Sequence, residues 1–395
     1  MKLTKKQRGA LDDMLDRDAA HGGDVASKVD SNGKYIRTSW DLCEEIVEEI
    51  AKILIARTNH PVTENALVTA LLGKKILVVD TVEFVPVLLA FGAEKCNITY
   101  VAPYKYKGAM IAGAIGVRVV QHSLLDWKSD MKFDVVVGNP PYQDENQRPI
   151  VLKFIKLFFE HTVKNGYTVM VGPTSWVNGT MPQDTTRSVS SAFSFINSHQ
   201  ILYYNSNVNA HFKSVGKDIG YWVARNAPNT GNSFVVDHCG EKFNVSTAGF
   251  DYLPYFLSKN NWQIFLKIQQ YSTEFWSRFS NLAPAKIGAA IVFPKAQYIS
   301  IDALCVFDGI DKAGLPTSKL VIAHKIPDGQ FNSAKIQFKS KLFRFLFHIY
   351  GGNSGCSPGF LRKFPMLKDI TSEKESYERF DLSQDEIDFI ETTVK

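Results

Sequence analysis

Four consecutive residues, Asn139, Pro140, Pro141 and Tyr142, combine the groups needed to grip a planar ring that carries an amino group. The lone pair of such an amino nitrogen is delocalised into the ring, so a catalyst must accept its hydrogens and help the nitrogen pyramidalise. Asn139 offers a side-chain carbonyl and Pro140 a backbone carbonyl, while the two prolines stiffen the loop that aims them. Tyr142 offers a face on which the ring can stack. A target ring inside a nucleic-acid duplex must first be extruded, and an aromatic platform offsets part of the lost stacking, so a second aromatic is expected. Pro-Pro and Asn-Pro are also ordinary turn signals. Position decides between the two readings: the tetrapeptide follows the apolar run FDVVVG, and open α/β sheets bind their ligands at the carboxyl ends of strands.

The elements that must position this loop are visible around it. From residue 75 short apolar runs alternate with helical stretches: KKILVVD, VEFVPVLLAFGA, NITYVAP, KYKGAMIAGAIG, VRVVQHSLLDW and FDVVVGNPPYQ. This alternation predicts an α/β fold with a largely parallel sheet. IVLKFIKLFFEHTVKNG predicts a helix ended by Gly166, YTVMVGPTSWV a buried strand, and HQILYYNSN and GYWVARN further strands. Upstream, TSWDLCEEIVEEIAKILIA predicts an amphipathic helix capped by Thr38 or Ser39, with Leu42, Ile46, Ile50, Ile53 and Leu54 on one face. Residues 1–34 read as a polar segment, 35–235 as the α/β domain and 236–395 as a smaller domain; there is no internal repeat.

Composition sets further bounds. A chain of 395 residues that is 45% hydrophobic can bury a substantial core and is not a disordered protein. Its net charge of +5 is mildly favourable for a polyanionic partner. The cysteines Cys43, Cys96, Cys239, Cys305 and Cys356 stand singly, with no CxxC pair and no Cys/His cluster, which predicts reduced thiols and no metal. No apolar leader segment follows the charged N-terminus and no stretch approaches the roughly 18 apolar residues of a membrane span, so a soluble, cytoplasmic protein is expected. His60, His122, His161, His211 and His324 are isolated and read as structural or loop histidines. No nuclease-type PD-(D/E)xK arrangement is present, QDENQR lies too close to the tetrapeptide to be an independent metal site, and DLSQDEIDF reads as a capped, acidic helix.

Beyond the tetrapeptide, the sequence resembles the gamma-class, TaqI-like DNA adenine amino-methyltransferases from about Thr38 to residue 370. Thr38-Ser39-Trp40-Asp41-Leu42 is similar to the family's T-P-x-x-L motif, MKFDVVVGNPPYQ to its strand and catalytic loop, and VMVGPTSWVNG to the strand and loop that follow. NAHFKSVGKDIGYWVAR resembles the segment whose phenylalanine stacks on the flipped adenine, which makes Phe212 the second aromatic. The resemblance implies a Rossmann-like methyltransferase domain followed by a C-terminal DNA-recognition domain. It also implies S-adenosylmethionine as methyl donor, double-stranded DNA as partner and no metal. KLVIAHKIPDG and SKLFRFLFHIYGGNSGCSPGFLRKFPML are similar to the recognition domain, which would turn Lys339, Lys341, Arg344, Arg362 and Lys363 toward phosphates. A solvated helix face is the competing reading for each of those cations, and a core position for Phe212.

The resemblance breaks on the cofactor side. Where the family reads D-P-x-x-G-x-G, this chain reads VVDTVEFVPVL: Asp80 remains, but no glycine stands between Thr81 and Val87, and Glu83 and Phe84 take that space. Bulky residues do not readily adopt the turn that lets backbone approach a ligand. NITYVAPYKYK has no acid at its end, and QHSLLDW offers His122 or Ser123 with Asp126 displaced. Two functions therefore stand side by side. The first is methylation of adenine in a short DNA sequence, as in restriction–modification or phage self-protection. In that reading Asn139, Pro140, Pro141, Tyr142 and Phe212 act on the base, and Thr38, Asp80, Glu83 and Phe84 border a remodelled cofactor pocket. The second is a non-catalytic DNA-binding or partner subunit, working beside a restriction endonuclease or an active methyltransferase. Methylation of protein glutamine or of RNA is a third class, against which the basic C-terminal region argues.

Overall fold

The apolar runs form the expected strands, and the order in which they pair creates the place where a ligand would bind. The computed structural model of the chain describes residues 3–19, 38–103, 108–144, 146, 148–177, 192–212, 218–250, 252–276, 280–282, 290–294, 305–307, 321–350 and 363–394. Backbone contacts divide the chain into two units, Met1–Asp251 and Tyr252–Lys395.

The first unit begins with α1 (Lys5–Ala19), α2 (Trp40–Ala56) and the short α3 (Glu64–Leu67). Then follow β1 (Ile76–Val79), α4 (Phe84–Ala90), β2 (Ile98–Val101), α5 (Gly108–Ile115), β3 (Arg118–Val120), β4 (Phe133–Gly138), α6 (Val151–His161) and β5 (Thr162–Pro173). The unit ends with α7 (Ala192–Asn197), β6 (His199–Asn205), β7 (Ile219–Pro228), β8 (Asn232–Val236) and β9 (Lys242–Ser246). The nine strands lie in the order β3-β2-β1-β4-β5-β7-β6-β8-β9. Pairings among β3, β2, β1, β4 and β5 are all parallel, as is β6 with β8, whereas β7 runs antiparallel to both neighbours. The α/β class and the largely parallel sheet are thus as the alternation predicts.

Strands β1 and β2 are buried along their whole length, which is why they read as unbroken apolar runs rather than as alternating ones. Sequence order runs outward from β1 through β2 to β3, then returns to the other side of β1 with β4. The reversal places a crevice at the carboxyl ends of β1 and β4, where such sheets bind ligands. Ser39 caps α2, its hydroxyl accepting the Leu42 N–H at 3.3 Å, and the helix buries Leu42, Ile46 and Ile50 as its spacing predicts.

Two local expectations change. The helix expected to run to Gly166 ends at His161, because Thr162 turns into β5 with its hydroxyl bonded to the Phe158 carbonyl at 2.7 Å and to Thr168 at 2.9 Å. Gly166 is needed for a different reason than a helix end: a Cβ there would lie 2.9 Å from the Asp134 carbonyl. The sheet also continues past residue 235, where β8 and β9 pair from Asn232 to Ser246.

The second unit contains α8 (Lys259–Tyr271), a four-stranded antiparallel sheet of β10 (Ser280–Leu282), β11 (Ala290–Pro294), β12 (Cys305–Phe307) and β13 (Val321–Lys325), then α9 (Phe331–Lys339) and α10 (Lys341–Ile349). It closes with α11 (Glu373–Arg379) and α12 (Gln384–Thr393), the latter opened by a capping box between Ser383 and Glu386 that accounts for the acidic C-terminal run. Helix α10 buries Leu342, Phe343, Phe345, Leu346, Phe347 and Ile349. Among the described residues no helix is long and apolar enough to cross a membrane.

Candidate active site

Strand β4 delivers its loop to the crevice through an unusually close approach to β1. A Cβ on Gly138 would sit 2.3 Å from the Val79 carbonyl, so the last residue of β4 has room for hydrogen only. Asn139, 4% exposed, comes next. Its backbone N–H donates to Thr81 Oγ1 at 3.0 Å, its Nδ2 donates to Thr38 Oγ1 at 3.1 Å, and its Oδ1 accepts the Tyr142 hydroxyl at 2.7 Å. Two of these contacts hold the side-chain amide and the third its backbone, each from a different part of the chain. A carbonyl oxygen has two lone pairs, so Oδ1 keeps one for a further donor, and the Pro140 carbonyl accepts no hydrogen bond from the described residues. Burial pushes the Tyr142 hydroxyl well above its ordinary pKa, which the bond to Asn139 partly opposes, and the phenol stays protonated.

Beyond the tetrapeptide the Asp144 carboxylate is engaged within its own loop. The Asp144 carboxylate accepts from the backbone N–H of Arg148 at 2.8 Å, that of Asn146 at 3.0 Å and Arg148 Nε at 2.8 Å, and these contacts hold its carboxyl below the usual range. Ile150 N–H donates to the Tyr142 carbonyl at 3.0 Å and completes the loop. No group of His, Cys, Asp and Glu among the described residues could hold a metal ion.

Across the crevice the turn after β1 is filled from within. Asp80 adopts φ +56°, and Asp80, Thr81, Val82, Glu83 and Phe84 are all at most 4% exposed. Phe84 belongs to the main hydrophobic cluster. Val82 and Tyr100 press on the start of α5, where a Cβ on Gly108 would meet the Tyr100 hydroxyl and lie 3.0 Å from Val82 Cβ. At the end of β3, Ser123 Oγ accepts the Leu125 N–H at 3.2 Å, while His122 and Asp126 face solvent.

Helix α1 adds a clasp. Arg8 reaches Glu44 at 2.6 Å and Asp41 at 2.8 Å, Asp12 accepts from the Trp40 indole at 2.8 Å, and the Leu3 N–H donates to the buried Glu44 carboxylate at 2.8 Å. The same helix also lies against α5.

A dinucleotide-like or sulfonium cofactor needs backbone N–H groups and ribose-binding acids that face a free cleft. Here Thr38, Asp80, Glu83 and Phe84 are turned into the protein, and Thr81 is bonded to Asn139 across the crevice. These residues do not fit S-adenosylmethionine as the glycine-rich turn would hold it.

The expected aromatic partner is also placed differently. Phe212, 5% exposed, packs in the main cluster with Val208 and Ile219, as a core residue does. His211, one position earlier, is the partly exposed ring of this pair, and its Nδ1 lies 2.6 Å from Ser39 Oγ. Isolation in sequence gave no sign of that pairing. In the second unit, Lys339 is exposed, Lys341 is paired with Glu391 at 3.2 Å and Arg344 is partly buried. Lys363 is 8% exposed over the Tyr252 ring, its Nζ 4.4 Å from the centroid, and burial lowers its ammonium to about 7. It is packed where a solvent-facing cation was expected. Arg362 lies outside the described residues.

Residues 112–207 match the family of Eco57I restriction-modification methylases. The match runs from within α5 to just past β6 and includes Asn139 to Tyr142. No curated protein matches the chain. Among solved structures it is similar to the type IIG restriction endonuclease BpuSI, at 9% identity and TM-score 0.41, over 86% of this chain and 60% of BpuSI. It is also similar to a chain from a structural study of the type I R-M system, at 13% identity and TM-score 0.33, over 59% of this chain and 56% of that one. The N-methyltransferase NodS from Bradyrhizobium japonicum aligns at 12% identity and TM-score 0.28, over 46% of this chain and 97% of NodS. The chain thus spans 60% and 56% of these two proteins, under two thirds of each.

Proposed function

We propose that this chain is a DNA-modification protein of the restriction–modification type that holds the exocyclic amino group of an extruded adenine on the loop Asn139 to Tyr142. The observation that carries this reading is the fixed amide of Asn139. Its contacts to Thr38, Thr81 and Tyr142 leave one lone pair of Oδ1 open, and the carbonyl of the next residue, Pro140, is a second acceptor one peptide away. Two acceptors side by side suit an NH2 group, drawing its hydrogens away so that the nitrogen regains nucleophilic character. The neutral Tyr142 ring supplies the stacking face.

The family match supports a restriction-modification methylase; within that class the reaction proposed is N6-methylation of adenine with S-adenosylmethionine as donor. Because the turn after β1 does not fit that donor, the step assigned to these residues is the capture and polarisation of the amino group. A second reading, a non-catalytic DNA-binding or partner subunit acting beside an endonuclease or an active methyltransferase, is favoured by the same closed turn. Calorimetric titration with S-adenosylmethionine, in the presence of duplex DNA, separates the two. Saturable heat that vanishes in Asp80→Ala means that this chain holds the donor and favours methyl transfer, and its absence leaves adenine capture alone. The capture itself is tested by fluorescence anisotropy with a 12-mer of thymidine containing one central adenosine. Wild type is expected to prefer it to the all-thymidine strand, and Asn139→Ala to lose that preference.

A further inference from the structure

We infer that His211, and not its neighbour Phe212, is the second residue that recognises the extruded base, through a hydrogen bond from Nε2–H to a ring nitrogen beside the amino group. The inference rests on the adenine-capture reading and deepens it.

Three observations converge. Phe212 is committed to the core, whereas the His211 ring is partly exposed and fixed on one edge by Ser39 at 2.6 Å. Ser39 is adjacent in sequence to Thr38, which accepts from Asn139 Nδ2, and neighbouring Cα atoms are only ~3.8 Å apart. One dipeptide at the start of α2 therefore anchors both His211 and the amide of Asn139. The third observation is chemical. Ser39 Oγ accepts the Leu42 N–H, and in the inferred arrangement it gives its own hydrogen to His211 Nδ1. In a neutral imidazole that arrangement puts the ring proton on Nε2, whose hydrogen-bonding capacity no described residue takes up. Adenine carries acceptor nitrogens on either side of its amino group. Asn139 and Pro140 supply acceptors for the amino hydrogens, and His211 supplies the donor that the ring nitrogen needs. Such a donor rejects thymine, whose corresponding edge nitrogen is itself protonated. The turn at Asn209–His211 is tied to β7, Asn209 bonding to Asp218 at 3.1 Å and to the Ile219 N–H at 2.8 Å.

His211 is thus a base-contacting residue whose orientation depends on Ser39. The experiment uses the full chain and the anisotropy assay with the single-adenosine and all-thymidine 12-mers, at fixed salt. His211→Ala should reduce the preference for adenosine by about tenfold, the scale of one good base contact. His211→Gln, which can present an N–H at similar reach, should recover most of it, and His211→Phe should not. Replacing the adenosine by 1-deaza- or 7-deazaadenosine should weaken wild type with one of the two analogues. His211→Ala should be indifferent to that same change. Equal loss for both strands would mean a phosphate contact and would overturn the assignment, as would rescue by Phe in place of Gln. If Asn139→Ala loses the preference while His211→Ala keeps it, this inference fails and adenine capture stands. If wild type shows no preference for adenosine, both fall.

Discussion

The two edges of the crevice, one after β4 and one after β1, start from the same position in the fold and have taken opposite courses. After β4, polar groups are spent on holding one amide with hydrogen-bonding capacity left over. After β1, Val82 and Phe84 pack in the main hydrophobic cluster, and Glu83 is buried between them. A loop can remain chemically specific when the pocket beside it has been filled, because its geometry is fixed by its own anchors: Thr38, Thr81 and Tyr142. Of these anchors Thr81 belongs to the filled edge, and its hydrogen bond to Asn139 at 3.0 Å links the two sides.

The contrast can be tested from both sides. The largest effect is expected from Phe84→Ala. Removing a fully buried ring from the core should lower the free energy of urea unfolding by about 3–5 kcal/mol. A loss below about 1 kcal/mol would mean that the ring borders an open cleft and that the β1 edge is not closed. Asn139→Ala should cost less, about 1–3 kcal/mol, since it strands the Tyr142 and Thr38 hydroxyls rather than opening a large cavity. If it destabilised the fold as much as Phe84→Ala, the loop would be a structural element and its use as a capture site would lose support. Thr81→Val keeps the volume and removes the link, so a change of about 1 kcal/mol is expected, accompanied by weaker discrimination of adenosine in the anisotropy assay. Unchanged discrimination would show that the β4 loop needs nothing from the β1 edge.

Much of this architecture was readable from local pattern. The strands from Ile76 to Gly138 announce themselves because burial on both faces demands continuous apolar runs, and the start of α2 because Ser39 stands where a capping hydroxyl is needed. The missing glycines after Asp80 were equally visible. What replaced them in space was not, since the contact of Val82 and Tyr100 with Gly108 joins three separate elements. The same limit applies to the helix end. Gly166 is a strong stop signal in sequence, yet the hydroxyl of Thr162, paired with Thr168, ended α6 first. Phe212 and His211 show it most clearly: adjacent positions on an irregular turn carry no periodicity, so only the folded chain tells which ring faces inward. Lys363 reads as a surface cation from its basic neighbours, and its burial over Tyr252 comes from packing that spans more than a hundred residues.

The clasp of α1 has a consequence for the order in which the chain acquires structure. Leu3 and Arg8 converge on Glu44, and Asp12 on Trp40, so this segment is completed by partners that are synthesised after it. Its contact with α5 waits for about a hundred residues more, which at ~5–20 residues per second leaves the segment several seconds without its seat. A mostly charged stretch of 15 residues holds little helix by itself. Helix α1 is therefore expected to dock late and to be the first part of the unit to exchange its amide hydrogens.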